Sequence, residues 1–251
     1  MSMQTANKPT VSIVIPTYNE RGNIGKLIPE IFGSCKALKA AVEVVIVDDN
    51  SPDGTGSLAE QLGKKYNVRV IHRSGKLGLA SAVIKGFSES KSDILGVMDA
   101  DLSHPPEILP HLLKLILDNK ADMVVGSRYI KGGGVEVWPI YRRLMSKIAT
   151  LMARPLTPVK DPLSGLFFLK KNVIEGVELK AKGYKIGLEV IVKGKYGRVC
   201  EVPYLFRNRT YGKSKIGASE YYYYIRNLLR LYIYRLFNRR KIRIRYFFSK
   251  G

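Results

Sequence analysis

Five short apolar runs, at residues 11–15, 42–47, 68–71, 94–98 and 123–125, punctuate the first half of this chain. Their length, their β-branched content and the turn residues around them predict strands buried on both faces. Between them, residues 23–38, 56–66, 78–88 and 106–117 carry apolar side chains at helical spacing. Strand–helix alternation of this kind predicts an α/β fold, a mostly parallel sheet with helices on both faces. Ligands of such sheets bind beyond the carboxyl ends of the strands. The loops after the first, second and fourth predicted strands carry Tyr18 and Glu20, Asp49 and Asp53, and Asp99 and Asp101. All three polar clusters are therefore expected on one rim.

After residue 126 the pattern changes. Gly132, Gly133 and Gly134 predict a flexible loop, followed by a helix over 140–153, a proline-rich crossing over 155–162 and a strand over 166–169. A helix near 184–193 and a strand over 199–202 complete the expected domain, residues 1–217. Residues 207–217 read as a basic, glycine-punctuated loop. Residues 221–240 predict a helix with a wide apolar and aromatic surface that also carries Arg226, Arg230, Arg235 and Arg239. Residues 218–251 thus read as a basic amphipathic helix and tail, an anchor at a membrane interface. The plainer alternative is a helix that packs its Leu and Tyr face on the domain.

Composition adds two constraints. The 251 residues are 45% hydrophobic and 25% charged, which suits one globular domain with an appendage. Cys35 and Cys200 are too few for a disulfide framework or a zinc site and read as small core residues. Residues 1–10 lack the apolar core of a signal peptide. No stretch approaches the ~18 uncharged apolar residues of a membrane span. The formal charge of +21 calls for an anionic partner: nucleic acid, nucleotide phosphates or an anionic membrane. The basic excess lies after Lys120 and is densest over 226–250. A nucleic-acid-binding protein would explain the charge, but not acidic residues gathered on one rim, and no nucleic-acid motif is present. A nucleotidyltransferase would need a glycine-rich phosphate loop near the amino terminus, which the sequence lacks.

Candidate chemistry follows from the rim. Asp99 and Asp101, separated by one residue at a strand end, offer hard oxygen ligands to Mg²⁺ or Mn²⁺, with water and phosphate completing the shell; a solvated Asp-rich turn is the alternative. Ser103 is either a third ligand or a bond to the loop backbone, and His104 either reaches a metal or belongs to the turn before Pro105. Asp49 is expected to bind ligand and Asp53 to hold a turn. Tyr18 stacks on a nucleoside or is a half-buried aromatic; Glu20 binds ligand or is an early-turn helix acid. Arg128, after a strand end, suits a phosphate clamp. Arg142, Arg143, Ser146 and Lys147 hold a second anion or form a solvated basic face. Arg209, Lys213 and Lys215 flank Gly212 in a loop that could close over a diphosphate.

The segments VSIVIPTYNE, VVIVDDNSPDG, GLASAVIKGF, VMDADLSHPP, GSRY, DPLSG, EVPYLF and YGKSKIG, in this order, resemble family-2 glycosyltransferases of the GT-A fold. Among these the chain is similar to the dolichol-phosphate mannose synthases, over about residues 11–217. The resemblance implies metal-dependent, inverting transfer of mannose from GDP-mannose to dolichyl or another polyprenyl phosphate, at the cytoplasmic face of a membrane. A sister transferase of the same family, using UDP-glucose or another donor with a polyprenyl phosphate, would share the fold and the metal site. By position, the donor falls to Pro16, Tyr18, Glu20, Val47, Asp49, Asp99, Ala100, Asp101, Arg128, Lys185, Arg209 and Lys215. Asp99 and Asp101 would hold Mg²⁺ or Mn²⁺, and Asp101, Arg128 and Arg142 would serve catalysis. Arg142 and Ser146 fall where relatives bind the lipid phosphate. Relatives carry either Gln or Ser at the position of Ser103, so water could replace it as third ligand. Some relatives continue into membrane-spanning helices near this chain's last residues, which leaves open a transmembrane partner or a missing C-terminal membrane segment.

Overall fold

The computed structural model describes residues 8–209, 218–238 and 243–246. The chain runs through β1 (Thr10–Thr17), α1 (Arg21–Cys35), β2 (Ala41–Asp48), α2 (Thr55–Gly63), β3 (Val68–His72), α3 (Leu79–Glu89), β4 (Ile94–Val97), α4 (Leu109–Leu117) and β5 (Met123–Ser127). It continues through β6 (Gly134–Val135), α5 (Ile140–Ala153), β7 (Phe167–Lys170), α6 (Ile186–Lys193), β8 (Arg198–Pro203), β9 (Leu205–Phe206), α7 (Ala218–Phe237) and β10 (Arg243–Tyr246). Each strand expected from the apolar runs is present, and the alternation forms the α/β sheet it implied.

The main sheet has eight strands in the order β10-β8-β5-β7-β4-β1-β2-β3. All pairs are parallel except those of β7, which runs antiparallel between β4 and β5. Register sets the rim: Thr17 lies opposite Asp48, and Val14 opposite Val97. The loops after β1, β2 and β4 therefore leave the sheet side by side. The two sheet faces are dry. One packs Ile24, Leu27 and Ile28 of α1 and Leu112 and Leu113 of α4. The other packs Val83 and Phe87 of α3 and Val190 and Ile191 of α6. Cys35 and Cys200 are both buried.

One feature departs from the sequence reading. The glycine triplet is a packed turn rather than a flexible loop: Gly132 has φ +89°, and a methyl on Gly133 would run into the Ser127 carbonyl. Gly134 then pairs in β6 with Leu205 of β9, forming a two-stranded sheet. Among the residues after 217, α7 and β10 both contact the rest of the domain. Tyr224, Leu228 and Leu231 of α7 pack on Leu156, Leu163 and Leu188, and β10 extends the main sheet beside β8.

Gly96 of β4 faces Phe168 of β7, and a methyl there would collide with the fully buried ring. Gly96→Ala should lower stability by about 1–3 kcal/mol through overpacking, read as a drop in the urea midpoint with an unchanged slope.

Candidate active site

Where the strands end, a cavity of about 310 Å³ opens, lined by Pro16, Tyr18, Glu20, Asp49, Asp99, Ala100, Asp101, Arg128, Arg142, Ser146, Lys185 and Arg209, among others. The three loop clusters therefore meet, together with basic residues from later in the chain. Val47 does not reach the cavity: its side chain is fully buried in the core under α3. Lys215 and Lys213 lie outside the described residues.

The loop after β4 is bent tightly around its carboxylates. Leu102 takes φ +62°, a left-handed conformation costly for a branched side chain. The bend lets Asp101 Oδ1 accept from both the amide (3.1 Å) and hydroxyl (2.6 Å) of Ser103. Ser103 is fully buried, so its hydroxyl bonds the loop rather than facing the cavity. Asp101 Oδ2 pairs with Arg209 Nε at 2.6 Å. The Asp99 amide donates to His104 Nδ1 at 3.2 Å, which leaves the ring proton on Nε2. Burial holds the His104 pKa below its usual value, although Asp99 and Asp101 pull it upward. Burial, with the neighbouring Asp101, raises that of Asp99. A second cation near these oxygens would relieve the same repulsion.

Asp49 lines the cavity but is already engaged. Its Oδ1 accepts from Arg73 Nε (2.6 Å) and its Oδ2 from the amides of Leu77 (3.0 Å) and Gly78 (2.9 Å). In this structure it shapes the 73–78 turn, which brings Lys76 Nζ to 4.6 Å from the Tyr18 ring centre. Asp53 accepts from the Arg21 amide and from the amide and hydroxyl of Thr55. Burial opposes its charge, yet these bonds keep its pKa below the carboxylate norm. Glu20 accepts from Asn23 Nδ2 at 2.7 Å in the first turn of α1.

Arg128 is held by Asp161, a residue for which the sequence suggested no role. Nε and Nη2 each donate to the carboxylate at 2.8 Å, and the Arg128 amide adds a third bond at 2.9 Å. Both residues are buried, and although burial works against the guanidinium charge, Asp161 leaves its pKa above normal. Lys185 Nζ reaches the Leu163 carbonyl at 3.4 Å. Burial and the Arg128 charge pull Lys185 down to about 8. Its loop is held from α7: Glu220 Oε2 accepts the Tyr184 amide at 3.2 Å. On α5, Ser146 exchanges a 2.7 Å hydrogen bond with the Tyr129 hydroxyl, and Arg142 lies over the Trp138 ring. Glu220, Trp138 and Lys76 were not singled out from the sequence, because each reaches the cavity only through tertiary packing.

Replacing Asp161 with Asn should destabilise the fold by about 3–5 kcal/mol, because a buried guanidinium loses its counter-charge. Chemical denaturation of the purified variant measures it.

The glycosyl transferase family 2 pattern matches residues 12–177. A dolichol-phosphate mannosyltransferase of Pyrococcus furiosus is 48% identical over 225 residues, covering 88% of this chain and 63% of that protein. Proteins of the same name from Saccharomyces cerevisiae and Mycosarcoma maydis are 40% and 38% identical, covering 89% and 92% of this chain and 87% and 82% of theirs. Among solved structures, mannosyl-3-phosphoglycerate synthase from Rubrobacter xylanophilus superposes with TM-score 0.65 at 19% identity, over 94% of this chain and 77% of that one. Glucosyl-3-phosphoglycerate synthase from Mycobacterium tuberculosis, solved with Mn²⁺, UDP and its product, gives 0.63 at 19%, over 90% and 80%. These two share the GT-A fold with this chain. The chain belongs to glycosyl transferase family 2 and, within it, to the dolichol-phosphate mannosyltransferases.

Proposed function

We propose that this protein transfers mannose from GDP-mannose to dolichyl or another polyprenyl phosphate, with inversion at the anomeric carbon. The observation that carries the reading is the meeting of Asp99 and Asp101 with Arg128, Arg142, Lys185 and Arg209 around one cavity. Two anionic reactants must approach each other there, and the protein's task is to neutralise both and fix their line of attack. A phosphate monoester, with a second pKa of about 6, is already a nucleophile at neutral pH, so no strong general base is needed. Buried, neutral His104 fits that requirement.

The residues fit a divalent cation. Asp99 and Asp101 are hard ligands at the cavity wall; among the described residues no third acidic, His or Cys side chain joins them as a ligand group. Mg²⁺ and Mn²⁺ accept such a site when water and substrate phosphate complete it. Bound there, the ion supplies Lewis-acid charge to the departing diphosphate. Pro16, Tyr18, Glu20 and Asp49 line the side of the cavity assigned to the nucleoside, and Arg128, Lys185 and Arg209 that assigned to the diphosphate and sugar. Arg142 and Ser146 are assigned the acceptor phosphate.

The membrane reading rests on α5 and α7. Ile140, Tyr141, Leu144, Ile148 and Leu151 of α5 are exposed, as are Tyr222, Ile225, Leu229, Ile233 and Leu236 of α7. The helices are joined at the C-terminal end of α5 by hydrogen bonds from Tyr224 and Tyr232 to the Ala149 and Met152 carbonyls, each 2.6 Å. No described helix is long and apolar enough to cross a membrane. The surface suits a peripheral seat on the cytoplasmic face, where a lipid phosphate could enter along α5.

Incubation with radiolabelled GDP-mannose, dolichyl phosphate and Mg²⁺ or Mn²⁺ should move label into the organic phase. Equal transfer from UDP-glucose would refute the donor assignment. Asp101→Asn should cut transfer by about 100-fold or more while the circular dichroism spectrum stays unchanged; strong metal-dependent activity would refute its role. Lys185 carries its charge below about 8 and loses it above. GDP affinity by calorimetry should thus fall roughly tenfold from about pH 7 to about pH 9.5, and Lys185→Met should flatten that profile.

A further inference from the structure

Trp138 is the chain's one tryptophan, and two cavity arginines share its ring. The guanidinium carbon of Arg142 lies 4.1 Å from the indole centre and that of Arg128 5.7 Å. Both are within the range where a cation is attracted to the ring's negative face. The indole itself is fixed. It is 7% exposed, and its Nε1–H has no hydrogen-bond partner among the described residues, so packing holds the ring.

That packing reaches the carboxylate loop. Trp138 meets Phe206 edge-on at 5.3 Å, Phe206 meets His104 edge-on at 5.7 Å, and His104 accepts the Asp99 amide. Pairing of Glu136 with Phe206 (N–H to carbonyl, 2.9 Å) locks the segment that carries the indole against β9. A continuous run of rings thus links the Asp99 backbone to the Arg142 guanidinium.

Arg142 needs such support. Burial, with the charges of Arg209 and Arg128, holds its pKa below the usual arginine value, as expected for a cation kept among cations. Left to itself, a long side chain under that repulsion would turn to solvent. The ring face opposes this at little conformational cost, because the indole does not move.

We propose that Trp138 is a positioning residue for the acceptor. Its indole holds the Arg142 guanidinium at the cavity wall, so an incoming phosphate monoester meets a cation already in place. The inference rests on the reading of Arg142 as the contact to acceptor phosphate; Arg128, which shares the ring, is held instead by both carboxylate oxygens of Asp161.

The test compares Trp138→Leu and Trp138→Phe with the unaltered protein, varying polyprenyl phosphate in detergent micelles at saturating GDP-mannose, and then the reverse. Trp138→Leu should raise the acceptor KM about tenfold, equivalent to 1.4 kcal/mol, with kcat and the donor KM within about twofold. Trp138→Phe, which keeps a π face, should recover most of the loss. Equal changes in both KM values, or an unchanged acceptor KM, would overturn the proposal. Emission from the sole indole gives a second reading that needs no turnover. Arg142→Met should alter the emission of the free protein, and polyprenyl phosphate should then cause no further change, whereas it shifts the unaltered protein's spectrum. Identical spectra for Arg142→Met and the unaltered protein would show that the contact is absent. Should Trp138→Leu fail to fold, Trp138→Met takes its place, with the same rise in acceptor KM expected and an unchanged acceptor KM overturning the proposal. If the spectra differ but no mannose is transferred, the functional reading fails and takes the acceptor role with it, leaving only the contact.

Discussion

Arg128 and Asp161 meet in the protein interior, and the basic side of the cavity is built outward from them. Both are desolvated, so each is stable there only while the other is present. The support has depth: Glu201 of β8 accepts the amides of Lys160 and Asp161 at 2.9 and 3.0 Å, which fixes the backbone that presents the carboxylate. From that anchor the guanidinium faces Tyr129, Trp138 and Phe206. Its charge acts on Lys185 and Arg142 alike. A cluster of cations can be stable without ligand only if some member is neutralised from behind. Here Asp161 does that for Arg128, and Asp101 does it for Arg209.

The same arrangement explains what could be read in the sequence. Strand-ending clusters such as Asp99 and Asp101 were legible because their place follows from topology: a parallel sheet delivers the ends of β1, β2 and β4 to one rim. Asp53 is legible as a turn residue because Thr55, whose amide and hydroxyl it accepts, lies two residues on; its bond from the distant Arg21 amide is not legible. Asp161 was not, since an acid in a proline-rich crossing carries no sign of which distant arginine it meets. Val47 was placed at the donor by resemblance, yet its side chain points into the core. Asp49 is expected at the ligand and does line the cavity, but no spacing rule announces that its carboxylate also holds Arg73 and two amides.

The antiparallel strand β7 and the β6–β9 pair illustrate a second limit. A four-residue apolar run such as that at 166–169 looks the same whichever way it enters a sheet, and two-residue strands carry no periodicity at all. Both matter at the site. β7 separates β4 from β5, and so spaces the carboxylate loop from Arg128, while β9 supplies the aromatic residue between His104 and Trp138. The glycine triplet belongs here as well. Its composition suggests freedom, but Gly133 is small because the Ser127 carbonyl leaves no room for a side chain.

The two tyrosine hydroxyls that tie α7 to α5 have a thermodynamic consequence. An isolated amphipathic helix must fold as it meets an apolar surface, and the loss of chain entropy weakens the association. In this protein Tyr224 and Tyr232 fix both helices in register with the rest of the domain before any contact is made. An apolar surface that met their exposed side chains would therefore find both helices already folded, and attachment would cost chiefly the immobilisation of the whole body.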